Sequence, residues 1–567
     1  MTYRPPVAEQ KFVLEHVVRL GEIAGEGGTF AEATDELAGA IVDGVGAFAA
    51  GEFAPLNRVG DETGAKWSPE GVTMPAGFRE AYQAYVAAGW GALAGPPEQG
   101  GQGLPLTLAT VVLEDLGSAN MAFSLVAMLS AGAVEALVHH GSDELKALYL
   151  PKLVSGEWTG TMNLTEPQAG SDVGALKTKA EPVGDGSWLL SGQKIFITYG
   201  EHDLADNIVH LVLARTPGAP AGTKGISLFL VPKILPDGTR NDVRCVSIEH
   251  KLGIHASPTC VMSYGDDGRC LGRLIGEETA GMRAMFTMMN NARLNVGLQG
   301  VSIAERSTQA AVAYALARVQ GSREGRPAAI VEHPDVRRML LRMKALTQAA
   351  RALAYYSAGQ TDRSRADRGA KARADLLTPL VKAYGTDVGV EVACLGVQVL
   401  GGMGYVEETG AAQHLRDSRI APIYEGTNGI QAADLVMRKI GLEGGEVLRR
   451  LIAEIRSEVA GEAHLIRLVD SVETLRESLL ASSPDDRLAA SYPFLTMLSV
   501  AVAGWLMARQ ASALAGFDGD AAFRSMKFAA SRFYLDQVLP EALGLAASAS
   551  APADILYSLD SEAFAAL

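Results

Sequence analysis

The sequence predicts a mainly α-helical protein with a β domain in the middle of the chain. Apolar residues recur at helical spacing up to about residue 155 and again beyond Met282. Between about residues 160 and 275 they give way to short β-branched runs, such as residues 208–213 and 226–231, separated by turn-rich segments. At 567 residues the chain is too long for a single core, which indicates three or four domains.

Changes in this pattern divide the chain. Pro334 is well placed to begin a helix whose apolar face includes Met339 and Met343, and the glycine-rich residues 441–445 are a predicted hinge. The predicted domains are an N-terminal helical domain (1–158), a central β domain (159–278), a second helical domain (279–443) and a C-terminal helical accessory domain (444–567).

Composition restricts the function classes. A hydrophobic content of 48% is typical of a folded globular protein, and the net charge of -15 disfavours nucleic acid as a partner. The four cysteines form no CxxC pair, which argues against a disulfide scaffold and favours a reducing compartment. His250, His255 and Cys260 are a weak metal alternative without further ligands, so no metal is expected. We expect a cytoplasmic protein without a signal peptide or membrane span.

One loop carries a candidate base. Residues 420–431 place Glu425 between Tyr424 and Gly426 among apolar neighbours. Burial disfavours the charged form of a carboxylate and can raise a glutamate pKa to ~6–7, where the group can accept a proton near neutral pH. Taken alone, a Tyr-Glu-Gly sequence is usually only a turn, so the loop must be considered together with segments elsewhere.

Those segments are residues 96–103, 165–172, 192–198 and 398–405, together with Arg293. With the Glu425 loop they resemble the acyl-CoA dehydrogenase family, and the likeness runs in order from about residue 86 to residue 440. Each segment alone has a simpler interpretation, because residues 165–172 can be a capped loop and residues 401–404 a tight turn. Neither a GxGxxG after a strand nor a Walker A sequence is present, so a Rossmann site is not supported.

The resemblance implies a helical domain, a β-barrel-like domain and a helical bundle. It also implies FAD, held without covalent attachment between the β domain and the second helical domain and partly covered by a neighbouring subunit. Thr165 would hydrogen-bond the isoalloxazine edge, Thr198 would approach N5, Phe196 would offer its backbone, and Ser171 would reach the pyrophosphate. Glu166 and Asp172 are expected to be turn and capping groups.

Other cofactor contacts follow from the same resemblance. Arg318 would reach the FAD pyrophosphate from a second subunit, because a guanidinium suits that anion. Gln398 and Gly402 match positions near the adenosine half, where the alternative is a helix end with a glycine cap. Thr427 would be a further cofactor contact. The sequence departs from the family at Gly321, where an aromatic residue is common, and at Gly429, where glutamine is frequent, so the adenine contacts stay open.

The implied reaction is α,β-dehydrogenation of an acyl-CoA thioester to the trans-2-enoyl-CoA. Glu425 would remove the α-proton, because Ala292 occupies the alternative position of the family base and cannot act as one. The backbone N–H of Glu425 and a flavin ribityl hydroxyl would bind the thioester carbonyl. Ser171, Arg293, Tyr424 and Gly426 are the expected substrate contacts, with a structural role for Arg293 slightly preferred.

The long C-terminal extension is similar to the longer subfamily. This leaves 3-methylmercaptopropionyl-CoA and other short to medium acyl chains as candidate substrates, with a homodimer and an electron-transfer flavoprotein as the expected partners. An acyl-CoA oxidase is an alternative. So is a nucleic-acid-binding flavoprotein of the alkylation-response type, but residues 446–567 hold ten Lys or Arg against sixteen Asp or Glu, a net charge of -6, which argues against DNA binding.

Overall fold

The computed structural model describes residues 3–26, 28–459 and 461–566. Contacts between residues group the chain into two compact units. The helical unit comprises residues 6–40 and 296–566, and the sheet unit comprises residues 3–5 and 41–295. The four domains predicted from the sequence stay a prediction.

The α-helices in the described residues are, in chain order, α1 (Val7–Val13), α2 (Leu20–Gly25), α3 (Asp35–Phe48), α4 (Leu56–Thr63), α5 (Phe78–Ala87), α6 (Leu106–Ala119), α7 (Met121–His140), α8 (Asp143–Ser155), α9 (Gly281–Ala317), α10 (Pro334–Arg363), α11 (Arg368–Leu400), α12 (Ala411–Ser418), α13 (Asn428–Asp434), α14 (Glu446–Glu458), α15 (Ala463–Ala481), α16 (Pro484–Ala513), α17 (Ala521–Phe533) and α18 (Leu539–Leu543). The β-strands are β1 (Lys66–Ser68), β2 (Gly71–Thr73), β3 (Trp158–Asn163), β4 (Lys179–Pro182), β5 (Ser187–Thr198), β6 (Asn207–Arg215), β7 (Ile226–Pro232), β8 (Val243–Ile248), β9 (Thr259–Tyr264), β10 (Leu271–Ile275), β11 (Val319–Arg323) and β12 (Arg326–Ala329).

Strands β3 to β10 form one sheet that closes on itself. The strand order is β10-β7-β6-β4-β5-β9-β8, with β3 paired to β6, and β10 pairs with β5 as well as with β7. Leu271 of β10 lies opposite Leu189 of β5, while Arg273 lies opposite Leu230 of β7. This second pairing turns the sheet into a barrel-like domain and leaves β10 without a free edge.

The central strands of this sheet are buried on both faces. Along β6, Val209, Leu211 and Leu213 face a core shared with α7 and α8, whereas Val212 and Ala214 face the interior of the sheet. The alternation follows from the two-residue period of a strand. Burial on both faces explains why β6 and β7 read as continuous apolar runs.

The helical unit is built around the long helices α10, α11 and α16. Helix α16 packs against α10, α11 and α13. Trp505 of α16 is fully buried, with its ring 5.3 Å from that of Tyr356 on α10 at 81°. Arg509 lies over the same indole at 4.4 Å and also pairs with Glu458 of α14. The C-terminal helices therefore share one core with α10 and α11.

Buried charges also join these helices. Lys527 of α17 pairs with Glu9 of α1, and Arg351 of α10 donates to Glu305 of α9 at 2.8 Å. Burial alone would raise the pKa of Glu305, but the nearby Arg351 guanidinium lowers it to about 2. Because an unpaired buried charge is strongly unfavourable, the Lys527–Glu9 pair favours the docking of α17 on α1, and the Arg351–Glu305 pair favours the packing of α10 on α9.

The structure confirms the predicted fold class, a mainly helical chain with a central β domain and further C-terminal helices. Helix α10 begins at Pro334, and β6 and β7 contain the two predicted strand runs. At the predicted hinge, Glu443 and Gly444 leave the helical conformation with φ values of 49° and 69°. The β1–β2 hairpin within the first helical region was not predicted.

By length and composition alone, three helical segments of the described residues could cross a membrane, or four if the bent pair Asp35–Phe53 and Leu56–Thr63 is one span. The three are Met121–His140, Arg368–Tyr405 and Pro484–Ala513, and their most apolar windows are 78%, 44% and 83% buried within the protein.

Candidate functional site

The loop at residues 165–172 is held from inside by Glu166. Its carboxylate accepts hydrogen bonds from the Lys177 N–H at 2.6 Å, from the Thr178 N–H at 3.0 Å and from the Lys194 ammonium at 2.8 Å. Burial would raise the pKa of Glu166, but Lys194 and these donors together lower it to about 2. At the end of the loop Asp172 accepts from the Gly174 N–H at 3.0 Å. Both acids are turn and capping groups, as expected.

The end of β5 presents a ring to the surface. The pairing of β5 with β9 is irregular between Lys194 and Ile197, and Phe196 has a left-handed φ of 60°. Its side chain is 57% exposed, although the neighbouring Ile197 is buried. The Ile195 N–H donates to the Thr165 carbonyl at 2.9 Å, which brings Thr165 beside this irregularity. The sheet unit thus brings Thr165, Phe196 and Thr198 into one neighbourhood.

The Glu425 loop has an unusual backbone. Glu425 lies at φ 55° and Gly426 at φ 80°. A left-handed conformation at a residue with a long side chain costs about 1–3 kcal/mol and persists only when neighbours enforce it. The Glu425 side chain is half-buried, whereas a buried base was expected. Strained residues cluster at functional sites, so this position is a candidate for chemistry.

Several contacts enforce that conformation. The Tyr424 hydroxyl donates to the Gln299 side chain of α9, and the Asn428 N–H donates to the Pro422 carbonyl at 3.0 Å, which closes the loop. Burial, followed by the Glu425 charge, raises the pKa of the Tyr424 phenol, so it stays a neutral donor. Thr427 is the N-cap of α13 and accepts from the Ile430 N–H at 3.1 Å.

The remaining predicted cofactor residues of the helical unit are at its surface. Arg318 directly follows α9, is exposed and donates to Gln320 at 3.3 Å. Gln398 near the end of α11 and Gly402 just beyond it are also exposed. Gly321, where the family commonly has an aromatic residue, has φ 74°, and a Cβ there would lie 3.4 Å from the His333 ring. A histidine ring therefore lies beside that glycine.

In the sheet unit, Ser171 is exposed and Arg293 of α9 is buried. Ala292 is buried as well and has no side chain able to move a proton. His255 Nδ1 lies 2.9 Å from the Asp61 carbonyl oxygen, and His255 Nε2 lies 3.0 Å from the Lys251 carbonyl oxygen. These contacts give His255 a structural role in its loop. Among the residues that the structure describes, no group of three His, Cys, Asp or Glu side chains is placed to hold a metal ion.

Four family models match the chain. They are described as Acyl-CoA dehydrogenase, N-terminal domain (residues 35–157), middle domain (161–266) and C-terminal domain (279–440), followed by Acetyl-CoA dehydrogenase C-terminal like (451–560). The chain belongs to the acyl-CoA dehydrogenase family, whose members are flavoprotein oxidoreductases acting on the CH–CH bond of acyl-CoA.

Within that family, the chain is 45% identical over 575 residues to the 3-methylmercaptopropionyl-CoA dehydrogenase of Ruegeria pomeroyi, covering 95% of this chain and 97% of the relative. It is 37% identical over 535 residues to a butyryl-CoA dehydrogenase of Syntrophomonas wolfei, covering 87% and 88%. An acyl-CoA dehydrogenase from Bacillus anthracis, solved in complex with FAD, has a TM-score of 0.77 at 22% identity and covers 93% and 91%. At that identity the likeness shows the fold alone.

Sequence reasoning missed the residues that support the two loops. Lys194 is fully buried and is 28 residues from its partner Glu166, and Gln299 is 125 residues from Tyr424. The sequence signal for the first pair was Lys194 itself, which directly precedes the apolar residues 195–197, because a lysine buried in a strand needs an acidic partner.

Proposed function

We propose that this protein catalyses FAD-dependent α,β-dehydrogenation of an acyl-CoA thioester, with Glu425 as the base. The observation that carries the proposal is the conformation of Glu425, a half-buried carboxylate held at φ 55° between anchored neighbours. The contacts of Tyr424 and Asn428 keep the loop in this intrinsically unfavourable conformation. Membership of the acyl-CoA dehydrogenase family supports this reading.

The chemistry requires more than a base. A thioester α-proton is far less acidic than a carboxylic acid, so the negative charge that develops on the carbonyl oxygen must be stabilised as the proton leaves. Glu425 takes the proton, and its backbone N–H is the proposed hydrogen-bond donor to the carbonyl. When bound, FAD supplies the two-electron acceptor for the hydrogen that leaves the β-carbon.

The residues of the sheet unit fit a flavin. An exposed phenyl ring at Phe196 offers an apolar face, and the short hydroxyl side chains of Thr165 and Thr198 can hydrogen-bond polar ring atoms. Gly170 has open space around its Cα, so the loop that also carries Ser171 can approach a ligand closely. The exposed guanidinium of Arg318 suits a pyrophosphate.

A homodimer is the proposed assembly, with Arg318 serving the partner's cofactor. Large apolar side chains are exposed around the proposed cofactor residues of the helical unit. They are Leu316, Val319, Met403, Tyr405 and Val406. A contiguous exposed apolar patch commonly marks an interface, and these side chains, which neighbour Arg318 and Gly402 in the sequence, are the proposed contact residues. We further propose an electron-transfer flavoprotein as the acceptor and the cytoplasm as the location.

The acyl group is proposed to be 3-methylmercaptopropionyl or another short to medium chain. The identity to the Ruegeria pomeroyi relative supports the first choice. A panel of thioesters, including the methylthio one, should be assayed with an artificial electron acceptor while oxygen uptake is followed. The proposal expects enoyl-CoA formation that depends on the acceptor. Rapid oxygen uptake would identify an oxidase instead, and a failure to oxidise any thioester would contradict the proposed function.

A further inference from the structure

The side-chain amide of Asn428 lies between a group that can only donate and a group that can only accept. Lys382 Nζ donates to Asn428 Oδ1 at 2.9 Å, and Asn428 Nδ2 donates to Asp387 Oδ1 at 2.8 Å. An ammonium has no acceptor and a carboxylate has no donor, so the amide has a single favourable orientation. Asn428 and Lys382 are both buried, which makes this arrangement costly to disturb.

The chain of hydrogen bonds continues into the C-terminal helices. The second carboxylate oxygen of Asp387 accepts from the Tyr492 hydroxyl at 2.7 Å. Tyr492 lies on α16, within the segment matched by the last family model, and α16 packs against both α11 and α13. Burial, and then the Asp387 charge, raises the pKa of the Tyr492 phenol, so this hydroxyl remains a donor.

Asn428 is also the residue that closes the Glu425 loop. Its N–H donates to the Pro422 carbonyl at 3.0 Å, and it stands three residues after Glu425. One turn later, Gln431 Nε2 donates to the Glu425 carbonyl at 3.4 Å. Because φ 55° at Glu425 is intrinsically unfavourable, the orientation of the carboxylate depends on how firmly residue 428 is held.

We propose that Tyr492 is a positioning residue, which holds the Glu425 carboxylate in its working orientation through Asp387 and Asn428. The inference rests on the proposed function, since it assigns Glu425 the α-proton. It gives the C-terminal helices a part in the chemistry, in addition to their part in packing. Removal of the hydroxyl leaves Asp387 with one neutral donor fewer, so the Asn428 side chain, and with it the backbone N–H that closes the loop, is held less firmly.

The test compares Tyr492→Phe with Tyr557→Phe, an exposed tyrosine of the same C-terminal segment. We expect kcat of Tyr492→Phe to fall about ten-fold, because small misplacement of a reacting group is costly. KM should stay within about two-fold, since the thioester contacts are intact. Exchange of the substrate α-hydrogen for solvent deuterium, followed by mass spectrometry, should slow by the same factor as kcat. Flavin content and the unfolding temperature should match the control.

Equal kcat and exchange rates in the two variants would overturn the proposal, as would a loss of kcat accompanied by an equal loss of bound flavin. A second comparison adds Asp387→Asn. If Tyr492 acts through Asp387, kcat of the double variant should be no lower than kcat of Asp387→Asn alone. If the two residues act independently, their effects on kcat multiply, and that result would contradict the proposal. The proposed function fails in a different way, because Glu425→Gln would then exchange the α-hydrogen as fast as the unchanged protein.

Discussion

At the scale of single residues, the two functional loops are held by buried polar partners. The Glu166 carboxylate accepts five hydrogen bonds from side chains and backbone N–H groups around the loop at residues 165–172, one of them from the Lys194 ammonium. Tyr424 and Asn428 hold the Glu425 loop in the same way, through hydrogen bonds to Gln299 and to the Pro422 carbonyl. In both loops the flanking residues are fixed, while the candidate reactive groups stay at least partly accessible.

The Glu166 pair predicts a dependence of stability on acid pH. The pKa of Glu166 in the folded protein, about 2, lies below its ordinary value of 4.5, so the stabilisation is present above pH 4.5 and is lost as the pH falls toward 2. Denaturant titrations across this range should therefore show a shallower pH dependence for Glu166→Gln than for Asp237→Asn, an exposed control. Identical slopes for both variants would contradict the assignment.

At the scale of elements, α9 and α11 approach each other through glycines. A Cβ built on Gly385 would lie 2.4 Å from the Gly297 carbonyl oxygen, and one built on Gly300 would lie 1.9 Å from the Gly385 carbonyl oxygen. The helix backbones are thus in direct contact. This contact fixes the position, relative to α9, of the segment of α11 that carries Lys382 and Asp387.

Gly385→Ala should lower the free energy of unfolding by about 2 kcal/mol, because the clash with α9 exceeds the gain in helix propensity. Gly25→Ala at the end of α2 is the control, since a Cβ there meets nothing within 4 Å. The control should be neutral or slightly stabilising. Chemical denaturation measures both variants, and equal stabilities would show that α9 and α11 can separate without cost.

At the scale of the whole molecule, the sequence predicted what depends on local pattern. Strand runs, the start of α10 at Pro334 and the Glu425 loop all have short-range signals. The closure of the sheet through β10 and β5, and the link from Tyr492 to Asp387 across 105 residues, have none. Periodicity shows which face is buried but not what it is buried against, so these pairings required the structure.

The proposed dimer adds a prediction at this scale. Arg318→Ala should weaken FAD retention at least ten-fold, because a charge-assisted contact to the pyrophosphate is lost. Arg338→Ala, another exposed arginine, should retain FAD normally. Equilibrium dialysis with flavin fluorescence measures the affinity, and light scattering measures the mass. Unchanged affinity in a dimeric Arg318→Ala protein would remove this residue from the cofactor site.

The most direct test of the account is anaerobic mixing of purified protein with an oxidisable acyl-CoA, using Glu425→Gln and, as control, Glu443→Gln. Glu443 is also a glutamate at left-handed φ, 49°, but pairs with Arg450 on the surface. The account predicts that all three proteins bind FAD and that the flavin absorbance is lost in the unchanged protein and the control but persists in Glu425→Gln. Full bleaching of Glu425→Gln would contradict the assignment of Glu425 as the base.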